Sequence, residues 1–328
     1  MDGFEAIRRF ADERLDDAEK KEAVDLSRRL SARYRERDKS AVAIGSRQEA
    51  AAYLISRMPA TYAAARDAFG FVRDSMGEPG AGNIKSMLDA GAGLGAASLA
   101  ACESFGINEL KCVERQTHMR SLGEKFMRYA SGESLNIEWA DADVASVPFT
   151  KSFDLAAVSY LINELEEGVL SKTLKSLWEI TESILVIIEP GTPECFRRLL
   201  FARDMLLGAG AIMLAPCPNG NKCPLPDDDW CGFHVRLPRG RLHKKAKGGE
   251  APFEDEKYCY AAFSKTRHIS KGARIIRRPE LMKGHARLRL CGGDGIQTVT
   301  VSKSDGDAYA AARRARCGEI FYKINKKV

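Results

Sequence analysis

Apolar positions divide the chain into three stretches with different periods. In the first 76 residues they recur at helical spacing: Ala23, Leu26, Leu30 and Tyr34 share one stripe, and Ser46 with Glu49 forms a capping box for a helix over residues 48–58. Pro59 interrupts the pattern, and a further helix runs to residue 76. The sequence Gly77-Glu78-Pro79-Gly80-Ala81-Gly82 reads as a boundary loop. Short β-branched and aliphatic runs then alternate with amphipathic stretches. Strands are predicted at 86–89, 109–114, 136–140, 154–159 and 183–189, and helices at 95–104, 117–131 and 170–182. Thr192-Pro193 opens a helix over 193–207, with a capping hydroxyl followed by proline at the first helical position.

This alternation predicts an α/β fold of the doubly wound class, a parallel sheet with helices on both faces. Residues 215–257 break the pattern. They are rich in Pro, Gly, Cys and Lys, too long for an ordinary loop and too poor in apolar residues for a core, so bound metal is the expected source of order. Strand-like runs return at 258–264, 286–290 and 296–302, followed by a helix over 306–316. The expected organisation is a helical region at 1–79, a Rossmann-like core at 80–214, a cysteine-rich region completing the sheet at 215–291, and a C-terminal strand and helix at 292–328.

A chain of 328 residues, 45% hydrophobic and 29% charged, can bury a core, which excludes a disordered tail, a collagen-like repeat and a small disulfide scaffold. No apolar run approaches the roughly 20 residues of a membrane span, so a soluble protein with no membrane partner is expected. The start, Met1-Asp2-Gly3-Phe4-Glu5, has neither a secretory nor a transit pattern, so a reducing, cytoplasmic setting is expected. Nine cysteines are an odd number and suit reduced thiols, so a cluster of them points to metal before disulfide. The net charge of +6 is unevenly spread: residues 232–290 hold sixteen Lys or Arg against five Asp or Glu. That asymmetry points to a polyanion, RNA before a small acidic molecule.

The candidate cofactor loop is Leu88-Asp89-Ala90-Gly91-Ala92-Gly93-Leu94-Gly95, between a strand and a helix. There Gly91, Gly93 and Gly95 let backbone approach a ligand at a helix N-terminus. NAD and S-adenosylmethionine sites both use such loops. Asp89 would repel a pyrophosphate but can accept hydrogen bonds from an amino-acid moiety, and Glu114, ending the next strand, can chelate ribose hydroxyls. The pair favours S-adenosylmethionine. Asp141 and Asp143 follow the third strand, where adenine would lie. Tyr160, Asn163 and Glu164 follow the fourth, where a methyl acceptor would enter, with Tyr160 as a further cofactor-binding candidate and Asn163 and Glu164 as catalytic candidates or plain turn caps. No Asn-Pro-Pro-aromatic run and no Pro-Cys nucleophile defines the chemistry further.

Cys217, Cys223 and Cys231 stand in the segment that lacks a core, at spacings that are not those of a zinc ribbon. The fourth-ligand candidates are His234, Cys259, Cys291 and Cys317. Cys291 is favoured, because a strand edge delivers it to the Gly292-Gly293 turn, and His234 stays open if the ion is zinc.

These motifs, together with Ile188-Glu189-Pro190-Gly191-Thr192-Pro193, Asp229-Trp230-Cys231-Gly232-Phe233 and Phe253-Glu254-Asp255-Glu256-Lys257, resemble the methyltransferase-like family that associates with the small ribosomal subunit, known from mitochondria and also found in bacteria. The likeness runs from the N-terminal helices to Ser304-Asp305-Gly306. It implies a class I S-adenosylmethionine-dependent methyltransferase fold and a four-iron four-sulfur cluster on Cys217, Cys223, Cys231 and Cys291. It also implies action on the small subunit and its rRNA. The chain departs from the family pattern at Asn219, a position often held by histidine, and at Cys317, in place of a common tryptophan.

On this reading the cluster staples residues 215–291 and presents Arg236, Arg239, Arg241, Lys244, Lys245, Arg277 and Arg278 to RNA phosphates, in a protein expected to be monomeric. Three functions compete: an rRNA methyltransferase, an inactive assembly factor that keeps the fold, and an NAD-dependent redox enzyme.

Overall fold

The computed structural model describes residues 1–35, 43–132, 134–267 and 272–322. Four helices lead the chain: α1 (Gly3–Arg14), α2 (Asp17–Arg35), α3 (Arg47–Ser56) and α4 (Met58–Met76). Asp2 caps α1 by accepting from the Glu5 amide at 2.9 Å, and Ser46 caps α3 by accepting from Glu49 at 3.1 Å. The expected box is completed one residue early, since the Glu49 carboxylate accepts from the Gly45 amide at 2.7 Å. On the α2 stripe Ala23 is buried and Leu26 packs against the core, whereas the side chains of Leu30 and Tyr34 lie outside the described residues.

The boundary loop contains a short turn of helix, α5 (Glu78–Ala81), and does not separate two bodies. Helix α4 is buried along most of its length, and one apolar cluster joins Phe10, Leu54 and Phe69 to Leu110, Val186 and Tyr258 of the sheet. The N-terminal helices therefore supply one side of the sheet's own core.

The alternating region forms β1 (Ser86–Ala90), α6 (Ala96–Phe105), β2 (Glu109–Val113), α7 (Thr117–Ser131), β3 (Asn136–Ala140), β4 (Phe153–Ser159), α8 (Glu167–Glu179), β5 (Thr181–Pro190) and α9 (Pro193–Gly208). Then follow β6 (Ile212–Ala215), β7 (Phe233–Pro238), α10 (Arg241–Lys247) and β8 (Phe253–Ser264). The main sheet runs β3-β2-β1-β4-β5-β8-β6, with β7 on the outer half of β8. The first five strands are parallel, in the doubly wound order with its switch between β1 and β4.

A wholly parallel sheet is not what forms. β8 is antiparallel to β5, β6 and β7: the chain crosses from β5 through α9 to β6, and β8 then enters between them from its antiparallel neighbour β7 by way of the short α10 connection. Residues 215–257 also contain more regular structure than their composition suggests: β7 pairs along six residues and buries Phe233 and Leu237.

A second sheet is built from β9 (Ala273–Ile275), β10 (Glu280–Met282), β11 (His285–Gly292), β12 (Gly295–Ser302) and β13 (Ile320–Phe321), with α11 (Asp307–Arg314) covering one face. The stretch expected as one cysteine-rich region thus contributes strands to both sheets. No helix among the described residues is long and apolar enough to cross a membrane.

Gly191 closes the joint between β5 and β8. A Cβ there would stand 2.8 Å from the Tyr258 nitrogen and 2.9 Å from the Lys257 carbonyl carbon, both backbone atoms. Gly191→Ala is expected to cost about 2 kcal/mol, read as a lower urea midpoint with an unchanged slope. An unchanged midpoint would show that the joint yields freely.

Candidate functional site

The crevice at the carboxyl ends of β1 and β4 is the topological switch point, where open α/β sheets bind ligands. Gly91, Gly93 and Gly95 all have positive φ, at +79°, +56° and +85°. At Gly91 a Cβ would also approach Leu161 Cδ2 to 2.9 Å, but that is the end of a flexible side chain, so it is the positive φ that calls for glycine here.

Asp89 is fully buried. Its Oδ2 accepts from the Ser98 hydroxyl at 2.6 Å and the Ser98 amide at 3.1 Å, while its Oδ1 has no partner. On the neighbouring strand Ser159 Oγ is unpartnered and buried, and so is Asn163 Oδ1 in the turn beyond it. Buried polar atoms in folded proteins are nearly always satisfied. Three orphans at adjacent strand ends therefore mark a place for a polar ligand. Burial pushes the Asp89 carboxyl up to about 6, against the two Ser98 hydrogen bonds that hold it down.

Glu114 is more enclosed than a ribose-chelating residue was expected to be. Its Oε2 accepts from the Gly93 amide at 2.9 Å and its Oε1 from the Gln116 amide at 2.7 Å, so it braces the glycine loop. Burial raises its pKa, opposed by those two amides. Asp141 and Asp143 sit at the rim, ion-paired with Arg120 at 2.6 Å and Arg115 at 2.9 Å.

Tyr160 has φ +57°, an uncommon conformation for a bulky residue. Its hydroxyl donates to Glu256 at 3.0 Å, which in turn lies 3.7 Å from Arg57 of the N-terminal helices. The Asn163 amide donates to Glu189, a fully buried carboxylate that also accepts from the Leu161 and Ile162 amides at 2.9 and 2.8 Å. Burial lifts Glu189 to about 8. Glu164 is raised by burial to about 7 and stands within electrostatic reach of Arg115 and Glu114. Glu189, quoted only within a family motif, and Ser98 and Ser159 were given no site role from the sequence. Only the carboxylate ending an otherwise apolar strand, Ile184 to Ile188, could have drawn notice.

A second cavity, of about 200 Å³, is lined by Cys217, Cys223, Cys231 and Cys291 together. Among the described residues no three His, Cys, Asp or Glu side chains form a ready metal cage, and all nine cysteines are free. Of the other fourth-ligand candidates, Cys259 is buried with its thiol on the Pro190 carbonyl, Cys317 donates to the Gly232 carbonyl, and His234 does not line the cavity.

Burial pushes the Cys231 thiol far up, and the charges of Cys217, Cys317, Cys291 and Cys223 push it further. Cys291 is raised to about 11 by burial and then by Cys217 and Cys223. Four thiolates could coexist here only with a cation among them.

Metal is not the sole source of order for this loop. The buried guanidinium of Arg203 on α9 donates to the Asn221 carbonyl at 2.5 Å, and that of Arg274 on β9 donates to the Pro216 carbonyl at 3.0 Å. Arg203 Nε and Tyr260 Oη remain buried donors without partners in the cavity wall. An arginine on the buried stripe of Leu199, Ala202 and Leu206 is a signal the sequence did offer.

The seven basic residues expected to form one RNA face are divided. Arg236 is engaged with Asp255 through two bonds of 2.7 and 2.9 Å, Arg239 with Glu254 at 3.1 Å, and Arg277 with Asp229. Arg241, Lys245 and Arg278 are exposed and Lys244 is half-buried.

Glu254 gathers Arg239, His243 and Lys247. Burial would raise its pKa, but hydrogen bonds from His243 and Lys247 outweigh burial and hold it at about 2. A depressed carboxylate stabilises above its ordinary pKa and loses that contribution as pH falls from about 4.5 to 2. Glu254→Gln is expected to cost about 1–2 kcal/mol at pH 7 after solvent screening, with the gap to the parent closing in acid. A gap constant to pH 2.5 would remove the charge from the explanation.

Residues 47–322 match the family model described as Mitochondrial small ribosomal subunit Rsm22. The human ribosome assembly protein METTL17, mitochondrial, is 24% identical over 297 residues, covering 82% of this chain; the chain spans 61% of that relative's length. Among solved structures, magnesium protoporphyrin IX methyltransferase (ChlM) from Synechocystis PCC 6803 with bound SAM aligns with TM-score 0.41 and 10% identity, over 77% of this chain and 98% of that one. N-methyltransferase NodS from Bradyrhizobium japonicum WM9, in complex with S-adenosyl-L-homocysteine, aligns with TM-score 0.37 and 13% identity, over 56% and 79%.

Proposed function

The chain belongs to the mitochondrial small ribosomal subunit Rsm22 family, and on that premise we propose that it is a small-subunit assembly protein that binds S-adenosylmethionine between β1 and β4 and a four-iron four-sulfur cluster among its four cavity thiols. It binds small-subunit rRNA, and we place it in a reducing compartment such as the cytoplasm. The observation that carries the cofactor reading is the set of orphaned atoms at Asp89, Ser159 and Asn163. A carboxylate, a hydroxyl and an amide oxygen fit the ammonium and hydroxyl donors of an amino-acid nucleoside, and they do not fit a pyrophosphate, which disfavours the redox alternative.

The thiol cavity fits a cluster by its donor set. Four sulfur ligands suit a cubane or zinc, but Arg203 Nε and Tyr260 Oη are additional buried donors facing the same wall. Inorganic sulfide at the cluster's corners gives such donors acceptors, and hydrogen bonds to sulfur tune such centres. When bound, the cluster supplies the cation that lets the thiols ionise. The residues themselves fix loop 216–223 and join it to β9 and α9.

A second reading, assembly without methyl transfer, rests on the acceptor side. Asn163 is held by Glu189 and the Tyr160 hydroxyl by Glu256, so neither amide nor phenol is turned toward an incoming base. Calorimetry with S-adenosylmethionine and NAD tests the cofactor: binding of NAD alone would overturn the reading. Mapping of rRNA methyl groups in cells with and without the protein then separates enzyme from assembly factor, since a missing methyl group establishes transfer.

A further inference from the structure

A cavity of about 430 Å³, away from both the glycine loop and the thiols, lies between α1, α3 and the turn that leads from β7 into α10. Its size is within the range of small-molecule sites. Ile7 and Leu54 make an apolar floor, and Asp12, Arg8 and Arg241 stand in its walls. His243 also lines it and is only 4% exposed. Its Nε2 lies 3.1 Å from Glu254, but neither ring nitrogen has a hydrogen-bond partner of good geometry. A buried imidazole nitrogen without a partner is costly unless a ligand satisfies it.

From this arrangement we infer that the cavity receives one unpaired nucleotide of an RNA strand. The apolar floor suits a base face, the Asp12 carboxylate can accept from an exocyclic amine, and the His243 nitrogen can pair with a base edge. Arg8 and Arg241 are exposed and have no carboxylate partner among the described residues, which leaves both guanidiniums for phosphate. Lys244 and Lys245 continue the positive charge along α10 and suit the phosphates on either side of the turned-out base. A duplex cannot enter, because its base edges and faces are already engaged. The inference extends the RNA reading above by naming the form of RNA and the place of one nucleotide.

The test uses the full chain and the four ribonucleoside 5′-monophosphates, titrated separately by calorimetry. Ala11 is a buried wall residue, so Ala11→Phe fills the space, while Arg241→Ala removes one exposed charge without touching the core. At least one nucleotide is expected to bind the parent, and each variant to weaken it at least about tenfold, with S-adenosylmethionine titration unchanged. Failure of every nucleotide to bind at about 1 mM would overturn the inference. So would binding indifferent to both variants, which would put the nucleotide in the glycine-loop crevice. If small-subunit rRNA itself does not bind, the ribosomal reading fails, whatever the mononucleotides do.

Discussion

Anaerobically purified protein is expected to be brown and to contain iron, and the Cys217→Ser, Cys223→Ser double variant to be colourless. The physical reason lies in the cavity wall. Buried thiols whose pKa values are raised by one another, as at Cys231 and Cys291, are held protonated until a metal centre compensates their charge. Binding of the centre then stabilises the folded state, because the unfolded chain does not assemble four ligands spread over residues 217–291.

The double variant should melt about 5–10 °C lower and lose at least about tenfold in rRNA affinity at a fixed salt concentration. It should keep the parallel strands and the S-adenosylmethionine site, because the core of β1 to β5 is made mostly by the sheet and its helices, with Cys217, Cys223 and Leu225 of the loop only partly buried against its edge. The buried bonds of Arg203 and Arg274 predict that residues 216–223 loosen without unfolding outright. Iron-free parent protein binding rRNA as tightly as loaded protein would remove the cluster from RNA recognition. A zinc-containing parent would replace the cluster by a single ion.

Asp89→Asn is expected to weaken S-adenosylmethionine about a hundredfold while leaving the melting temperature nearly unchanged. The substitution is isosteric and keeps an oxygen able to accept from Ser98, but it removes the negative charge next to the orphaned Oδ1. The pH profile separates charge from shape. Asp89 is raised to about 6 by burial, so its ionised form, the one that attracts an ammonium, is depleted as pH falls through that value. Parent affinity should therefore drop below pH 6, and the variant, lacking the carboxyl, should be flat over the same range. Equal slopes in both proteins would show that Asp89 does not touch the ligand. Gly91→Val gives an independent check, since it strains the +79° φ and crowds Leu161.

Much of the site was legible from residue type and order, because the relevant physics is local. Glycines between a strand and a helix fix a ligand-approachable turn, and Asp89 and Glu114 were placed at strand ends by the alternation of apolar runs. Thr192 and Pro193 announced α9 for the same local reason, borne out by the Thr192 hydroxyl accepting from Cys195 at 3.2 Å. Local pattern failed where partners come from far along the chain. Glu189 reaches the Leu161–Asn163 turn from another strand, Arg274 reaches Pro216 across 58 residues, and Tyr258 donates to Asp67 across 191. Composition misled at residues 215–257, since β7 needs only Phe233 and Leu237 to pair with a longer partner strand.

The basic segment shows the same division. Its charge excess was countable, but which cations remain for an anion depends on Asp229, Glu254 and Asp255, whose positions no count reveals. The sequence by itself determined the strand and helix alternation, the glycine loop, the thiol inventory and the sign of the charge, because these follow from neighbours within a few residues. The tertiary structure decided the antiparallel entry of β8, the gathering of Cys291 with three cysteines some 60–74 residues earlier, and the engagement of Asn163, Arg236 and Arg239 by internal carboxylates. Those outcomes depend on which distant surfaces pack together to bury apolar area, and burial is a property of the folded whole.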